Sequence, residues 1–203
     1  MTAITTGFRT AALGVFLCGI GLSAAAETFK FDKGHTEVRF LWNHVGLSTQ
    51  SGEFRAVDGS VTFDSKKLGE SKVDVTIKSA SIDTGVERLD KHLKSGDFFN
   101  VEKHPEITFK STSVRQTGVD RGQVIGNLTM NGVTKPVTLD VSLLFQGNHP
   151  LAPFIKAYAG APYVAFSGRT EVLRSDFNLG KFAPLTSDAI EIVIQTEMRK
   201  AAE

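Results

Sequence analysis

The sequence predicts an all-β protein built from antiparallel strands. Apolar and polar residues alternate in eight separate runs of the chain, which is the periodicity of strands with one buried face. Parallel strands buried on both faces would be apolar throughout. Turn signals such as Asp58-Gly59 and Asn131-Gly132 separate several runs. The pattern fits a two-sheet sandwich, a side-chain-filled barrel or a hollow barrel, and it does not choose among them.

Residues 1–26 have the character of a secretory signal peptide. Arg9 supplies a positive charge, residues 11–22 are apolar, and Ser23-Ala24-Ala25-Ala26 completes the segment with small side chains. The apolar stretch is too short and too rich in alanine and glycine for a convincing membrane span. We therefore expect cleavage after Ala26, a periplasmic mature domain of residues 27–203, and no stable membrane insertion.

Composition excludes several classes of function for the mature chain. The single cysteine, Cys18, lies in the predicted signal peptide, so thiol catalysis, thiolate metal sites and disulfides are excluded. Without Arg9 the chain has 22 basic and 22 acidic residues, which indicates no nucleic acid partner. In the full sequence phenylalanine outnumbers tyrosine by 15 to 2, and it supplies apolar surface without hydroxyl groups that need partners.

The eight predicted strands follow a short apolar segment at residues 29–31. Each has bulky apolar side chains on one face at a period of two. The strands are centred on residues 38–42, 57–63, 73–77, 107–109, 124–130, 137–143, 164–166 and 190–194.

One segment between the third and fourth strands predicts a short amphipathic helix. Val86, Leu89 and Leu93 recur at helical spacing, and Thr84 with Glu87 fits a capping box. A helix of this length cannot cover a sheet, so it suits a cap at one end of a barrel.

Residues 147–162 form an irregular segment that is not polar. Prolines at 150 and 153 interrupt it, yet it also contains Leu151, Phe154 and Tyr158. A long loop with bulky apolar residues usually packs onto the protein or closes a site. Both a lid and a loop folded against the outside of the sheet remain open.

No motif for catalysis or for a resident metal stands out. The five histidines form no HExxH or HxH pattern, and the sequence has no phosphate loop, nucleophile elbow or dinucleotide fingerprint. We therefore expect no catalytic residue, no metal site and no cofactor. A zinc site assembled from distant residues is the remaining alternative.

An arginine and two histidines are candidates for binding an anionic head group. His44 ends a predicted strand and precedes glycines, which places an imidazole at a barrel rim. Arg88 and His92 are four residues apart and share a helix face, where they could meet a diphosphate or carboxylate. In the alternative interpretation, Arg88, His92 and Asp97 only attach the helix to the loop that follows.

A series of short motifs runs through the chain between residues 28 and 197. They are Phe40 through His44-Val45-Gly46, Gly52-Glu53-Phe54, Asp58-Gly59, Thr62-Phe63-Asp64, Ser81-Ile82-Asp83-Thr84, Arg88-Leu89-Asp90-Lys91-His92-Leu93, Ser95-Gly96-Asp97-Phe98-Phe99, His104-Pro105, Phe109-Lys110-Ser111-Thr112-Ser113, Gly126 through Val137, and Arg174-Ser175-Asp176-Phe177. With these motifs the chain resembles the YceI-like family of secreted, polyisoprenoid-binding, lipocalin-like proteins.

The resemblance implies an extended eight-stranded antiparallel barrel, lipocalin-like, with one short capping helix and an apolar channel. It also implies a long-chain isoprenoid lipid as the ligand and no established catalytic residues. Strand parity predicts the side chains that face this channel. They are Phe40, Trp42, Phe63, Val75, Ile77, Phe109, Leu128, Leu139, Phe166 and Ile192, with Phe98 and Phe99 closing one end.

The first functional hypothesis is non-enzymatic binding or transport of a polyisoprenoid or isoprenoid quinone-like lipid in the periplasm. Two alternatives remain open. One is a lipid- or quinone-modifying enzyme that uses His44 or His92 as acid or base. The other is a stress-related interaction module with a filled barrel. A homodimer is compatible with each hypothesis.

Overall fold

A closed antiparallel barrel of eight strands organises the chain in the computed structural model, which describes residues 26–202. The predicted all-β barrel with one short helix is therefore confirmed. The predicted signal peptide, residues 1–26, lies outside the described residues except for Ala26.

Ten strand segments form the ring because two of the eight barrel strands are each divided into two pieces. The segments are β1 (Glu27–His44), β2 (Ser48–Phe54), β3 (Val57–Phe63), β4 (Lys72–Lys78), β5 (Ile82–Asp83), β6 (Glu106–Gln116), β7 (Arg121–Met130), β8 (Val133–Asn148), β9 (Pro162–Leu173) and β10 (Ala189–Lys200). The helix is α1 (Glu87–Lys94), and short 3-10 turns occur at Leu68–Glu70, Ser79–Ser81, Lys156–Tyr158 and Arg174–Phe177.

Strand β1 closes the ring. One edge of β1 pairs with β10, from Phe29↔Lys200 to Leu41↔Glu191. The other edge pairs first with β3 and then with β2, so β2 and β3 act as one bent strand. In the same way, β4 pairs with β3 and β5 pairs with β2. Closure pairs the strand edges that an open sheet would leave exposed.

Strand β2 is the element that the apolar alternation failed to predict. Most of its residues are polar or small, and the sequence pattern placed turns here. Pairing with β1 from Val38↔Phe54 to His44↔Ser48 gives β2 its backbone hydrogen bonds without an apolar face of its own. Gly52 is required at one position, because a Cβ there would collide with the Phe40 ring.

Helix α1 forms as predicted, but its N-terminus is not the predicted capping box. The cap residue is Val86, and it makes no side-chain capping hydrogen bond. Instead, the Thr84 hydroxyl donates to Asp90 Oδ1 at 2.6 Å, and the Thr84 N–H donates to the same oxygen at 2.8 Å. Among residues 26–202, no helix has the length and apolarity to cross a membrane.

Two apolar clusters lie inside the barrel. The larger extends from the α1 end towards the middle and includes Phe54, Ile107 and Phe177. The smaller lies near the opposite end, where it contains Phe29, Phe63, Val164 and Met198.

A buried arginine organises the connection between β9 and β10. Arg174 is 8% exposed, and burial lowers its pKa. Its guanidinium donates to the carbonyl oxygens of Ser187 at 2.8 Å, Lys181 at 2.7 Å and Thr186 at 3.0 Å, and also to that of Leu179. This connection covers the α1 end, because Leu179 is buried in the larger cluster and Lys181 forms an ion pair with Asp97.

Replacing Arg174 with methionine should destabilise the protein by about 3 kcal/mol, because it leaves the buried Leu179 carbonyl and three partly buried carbonyls without their donor, and a fully buried group left unpaired costs about 1 to 3 kcal/mol. The free energy of unfolding in urea measures this effect. Arg169→Met is the matched control: Arg169 is exposed and pairs with Glu191 at 2.6 Å, so its loss should cost at most about 1 kcal/mol. Equal losses in the two variants would contradict the role assigned to Arg174.

Candidate functional site

An apolar cavity of about 420 Å³ lies inside the barrel. Its wall is built from inward-facing residues of every long strand, and it includes members of both apolar clusters. The volume falls within the range of roughly 300 to 1,000 Å³ that is usual for pockets binding small molecules. The barrel is therefore large enough to hold one small ligand or part of a longer chain.

The middle of the barrel is hollow because its inward side chains do not reach one another. Val75, Leu128, Leu139 and Ile192 face inward and line the cavity, yet each is only half-buried. In a close-packed interior such aliphatic side chains would be fully buried. This observation disfavours the filled-barrel alternative.

The cavity opens at the end of the barrel opposite α1. The exposed members of its lining all lie at this end, which we call the mouth. They are Ser65, Gln116, Val119, Asp120, Arg121 and Gln146. At the other end, which we call the closed end, the lining includes Phe54, Ile107 and Met130, all of which are buried.

Most of the predicted channel residues line the cavity. They are Phe63, Val75, Ile77, Phe109, Leu128, Leu139, Phe166 and Ile192. Phe40 and Trp42, predicted to face the channel, lie outside the lining, and Phe98 and Phe99, predicted to close one end, lie at the closed end.

These four aromatic side chains lie at the closed end, beyond Phe54 as seen from the cavity. The ring centroid of Phe54 is 5.4 Å from that of Phe40 and 5.8 Å from that of Phe99, and Phe40 stacks on Trp42 at 5.8 Å. Phe54 therefore faces the cavity, and the neighbouring rings pack against it on the side away from the cavity. Sequence reasoning missed Phe54 as a lining residue because it assigned this segment to turns rather than to β2.

The three predicted head-group residues lie at the closed end of the barrel, away from the mouth. His44 is exposed at the end of β1, Arg88 is exposed on α1, and neither they nor His92 line the cavity. His92 Nε2 lies 3.3 Å from Asp97 Oδ2, which supports the alternative in which these charges attach α1 to the following loop. The spacing of residues on a helix does not show which barrel end the helix covers.

The irregular connection between β8 and β9 lies outside the cavity. Residues 149–161, all of them described, contribute nothing to its lining, and Phe154 is 83% exposed. His149 stacks on Tyr158 with ring centroids 3.9 Å apart, so the connection folds onto itself beside β9. Of the two interpretations of the sequence, the structure supports a loop outside the sheet.

The mouth presents charged groups that sequence reasoning did not single out. Within the described part of the chain, Asp120 and Arg121 are the ionisable residues of the lining. Hydrogen bonds within the β6–β7 turn fix the backbone that carries them. Thr117 N–H donates to Arg121 O at 2.9 Å, and Gln116 Nε2 donates to Gly118 O at 2.9 Å. A guanidinium beside an apolar cavity can form charge-assisted hydrogen bonds with a carboxylate or a phosphate.

The sequence comparisons place the chain among proteins of similar length. A family model described as the YceI-like domain matches residues 29–198. A UPF0312 protein from Azotobacter vinelandii is 39% identical over 187 residues, which cover 92% of this chain and 93% of that protein. Protein YceI from Salmonella arizonae is 40% identical over 193 residues, which cover 94% of each chain.

Solved structures share the barrel. Burkholderia cenocepacia BcnA has a TM-score of 0.72 at 23% identity and covers 82% of this chain and 98% of its own. A Campylobacter jejuni YceI protein has a TM-score of 0.68 at 29% identity, covering 79% and 90%. A polyisoprenoid binding domain from Saccharophagus degradans has a TM-score of 0.61 at 12% identity, covering 87% and 99%. Because the family model spans most of the chain and curated relatives are about 40% identical to it, the chain belongs to the YceI-like family.

Proposed function

We propose that this protein is a non-enzymatic carrier that holds part or all of the apolar tail of a long isoprenoid lipid inside its barrel. The hollow apolar cavity with a mouth at one end is the observation that carries the proposal. The Saccharophagus degradans domain, which has a similar fold and is described as polyisoprenoid binding, gives further support. The ligand would be a polyisoprenoid or an isoprenoid quinone-like lipid.

Apolar burial provides the binding free energy in this proposal. Each enclosed CH₂ contributes roughly 0.8 kcal/mol, so a tail of several isoprene units gains a large gross free energy. Ordering the chain and associating two molecules offset much of that gain. Double bonds stiffen an isoprenoid tail, which lowers the ordering cost relative to a saturated chain. Since the wall offers few polar groups, the cavity should select by length and width.

The cavity geometry gives the ligand a direction. The far end of the tail would lie against Phe54, and the head group would remain at the mouth beside Arg121. In the enzymatic alternative either His44 or His92 acts as acid or base, but both lie at the closed end and outside the cavity. The geometry therefore favours binding over turnover.

The periplasm is the proposed location. The support for it is the signal-peptide character of residues 1–26, with its charged start, apolar middle and small residues before Glu27. A water-soluble carrier in that compartment would shield an isoprenoid tail between membranes. The homodimer remains a prediction.

Filling the middle of the cavity should abolish lipid uptake. Leu139 lines the cavity, whereas its neighbour Thr138 is exposed on the outside of β8. Leu139→Trp should reduce the fraction of protein carrying octaprenol at least tenfold after incubation, while Thr138→Trp should match the wild type. Native mass spectrometry counts the bound lipid, and thermal unfolding verifies that both variants fold. If a folded Leu139→Trp variant carried as much octaprenol as the wild type, the proposal would be wrong.

Arg121 should contribute to affinity only when the head group is charged. A hydrogen bond to a charged group contributes about 1.5 to 3 kcal/mol, so Arg121→Gln should weaken binding of octaprenyl phosphate by roughly tenfold or more. Binding of uncharged octaprenol should not change. Arg115→Gln is the control, because the Arg115 side chain is exposed and donates to Gln123. If Arg121→Gln weakened both lipids equally, the proposed orientation would be wrong.

A further inference from the structure

A kink in β1 brings together three side chains with metal-binding chemistry. The pairing of β1 with β10 is interrupted between Phe31 and Thr36, and Asp32 and His35 lie in this interval. Glu197 lies on the adjacent strand β10. The ligand atoms of Asp32, His35 and Glu197 all lie within 4.8 Å of one another. The kink therefore brings the carboxylate of Asp32 and the imidazole of His35 close to a second carboxylate that lies more than 160 residues later in the sequence.

Local hydrogen bonds hold the kink in this shape. Gly34 N–H donates to Asp32 Oδ1 at 2.9 Å, which leaves Oδ2 directed at His35 Nδ1, 3.1 Å away. The Thr36 hydroxyl donates to Asp32 O and also lies 2.8 Å from the Thr196 hydroxyl oxygen on β10. These contacts fix the backbone of the kink against the strand that carries Glu197.

The donor set, and the spacing of one pair of its ligand atoms, suit a divalent transition-metal ion. Zinc binds imidazole nitrogen and carboxylate oxygen at about 2.0 to 2.1 Å, which places tetrahedral ligand atoms about 3.3 Å apart. The 3.1 Å separation of Asp32 Oδ2 and His35 Nδ1 is close to this value. Three protein ligands leave a fourth position open to water.

His149 supplies an independent observation at the same place. Its side chain is 11% exposed, and its Nε2 lies 3.7 Å from Glu197 Oε2. Leu151 N–H donates to Nδ1 at 3.1 Å, so the neutral imidazole carries its hydrogen on Nε2, the ring nitrogen that lies near Glu197. The 3.7 Å separation is longer than a direct hydrogen bond, so His149 lies beside the carboxylate as a neighbouring polar group, the kind of outer contact that metal ligands commonly have.

We propose that Asp32, His35 and Glu197 bind a divalent transition-metal ion, with Zn²⁺ as the probe, and that His149 positions the Glu197 carboxylate. The site lies on the outer side of the barrel wall, because Phe31, Thr36 and Thr196 line the cavity while the three ligands do not. It does not depend on lipid binding. Through His149 the ion would join β1 and β10 to the connection between β8 and β9.

Titration of chelator-treated protein with Zn²⁺ alone tests the site. We expect one ion per chain by calorimetry and a rise in the melting temperature that depends on Zn²⁺ concentration. His35→Ala and Glu197→Gln should each lower the affinity at least tenfold, because each removes a ligand atom. His44→Ala is the matched control, since His44 is an exposed histidine at the closed end.

A further variant separates metal binding from folding. His149→Phe can keep the stacking on Tyr158 but removes both ring nitrogens, so the Zn²⁺ affinity should fall about 10- to 100-fold while the protein stays folded. Cobalt substitution gives a second readout, because the visible absorption of Co²⁺ reports a tetrahedral site. Absence of Zn²⁺ binding to the wild type, or unchanged affinity in folded His35→Ala and Glu197→Gln, would overturn the proposal whatever the lipid content.

Discussion

The pairing of β1 with partners on both edges is the constraint on which the rest of the structure depends. Successive side chains of a strand point to opposite faces of the sheet. Because β1 pairs with β10, the sheet closes, and these two faces become the interior and the outside of the barrel. With eight strands, the interior is wide enough either to be filled by large side chains or to hold a ligand. Here valine, leucine and isoleucine line the middle, so closure produces a cavity rather than a packed core.

The two ends of the barrel differ in packing and in polarity. At the closed end, buried aromatic rings meet a connection that Arg174 holds through the carbonyl oxygens of residues 179–187. At the mouth, the lining becomes exposed and polar around the β6–β7 turn. The Phe63 and Phe166 rings, 5.4 Å apart, pack beside the mouth without filling it. This asymmetry gives the cavity one entrance and an apolar floor.

The sequence predicted what depends on local periodicity and missed what depends on register. Alternation identified the strands and the inward position of residues such as Val75 and Leu139. It failed at β2, whose polar residues form a strand only because β1 supplies the partner. It could not place His44 and His92 relative to the mouth, because the end of the barrel that a loop reaches is set by the whole ring. The grouping of Asp32 with Glu197 was equally hidden, since it arises from the pairing of the first and last strands.

The positions of Glu27 and Lys200 have a practical consequence. Their side chains meet at 2.7 Å where β1 begins and β10 ends, so both ends of the folded domain emerge on the same side as the cavity entrance. An affinity tag or fluorescent fusion joined at either end of the folded domain would stand beside the route that a ligand must take. A reporter inserted in the turn around Gly46, on the far side of the molecule, would leave that route clear.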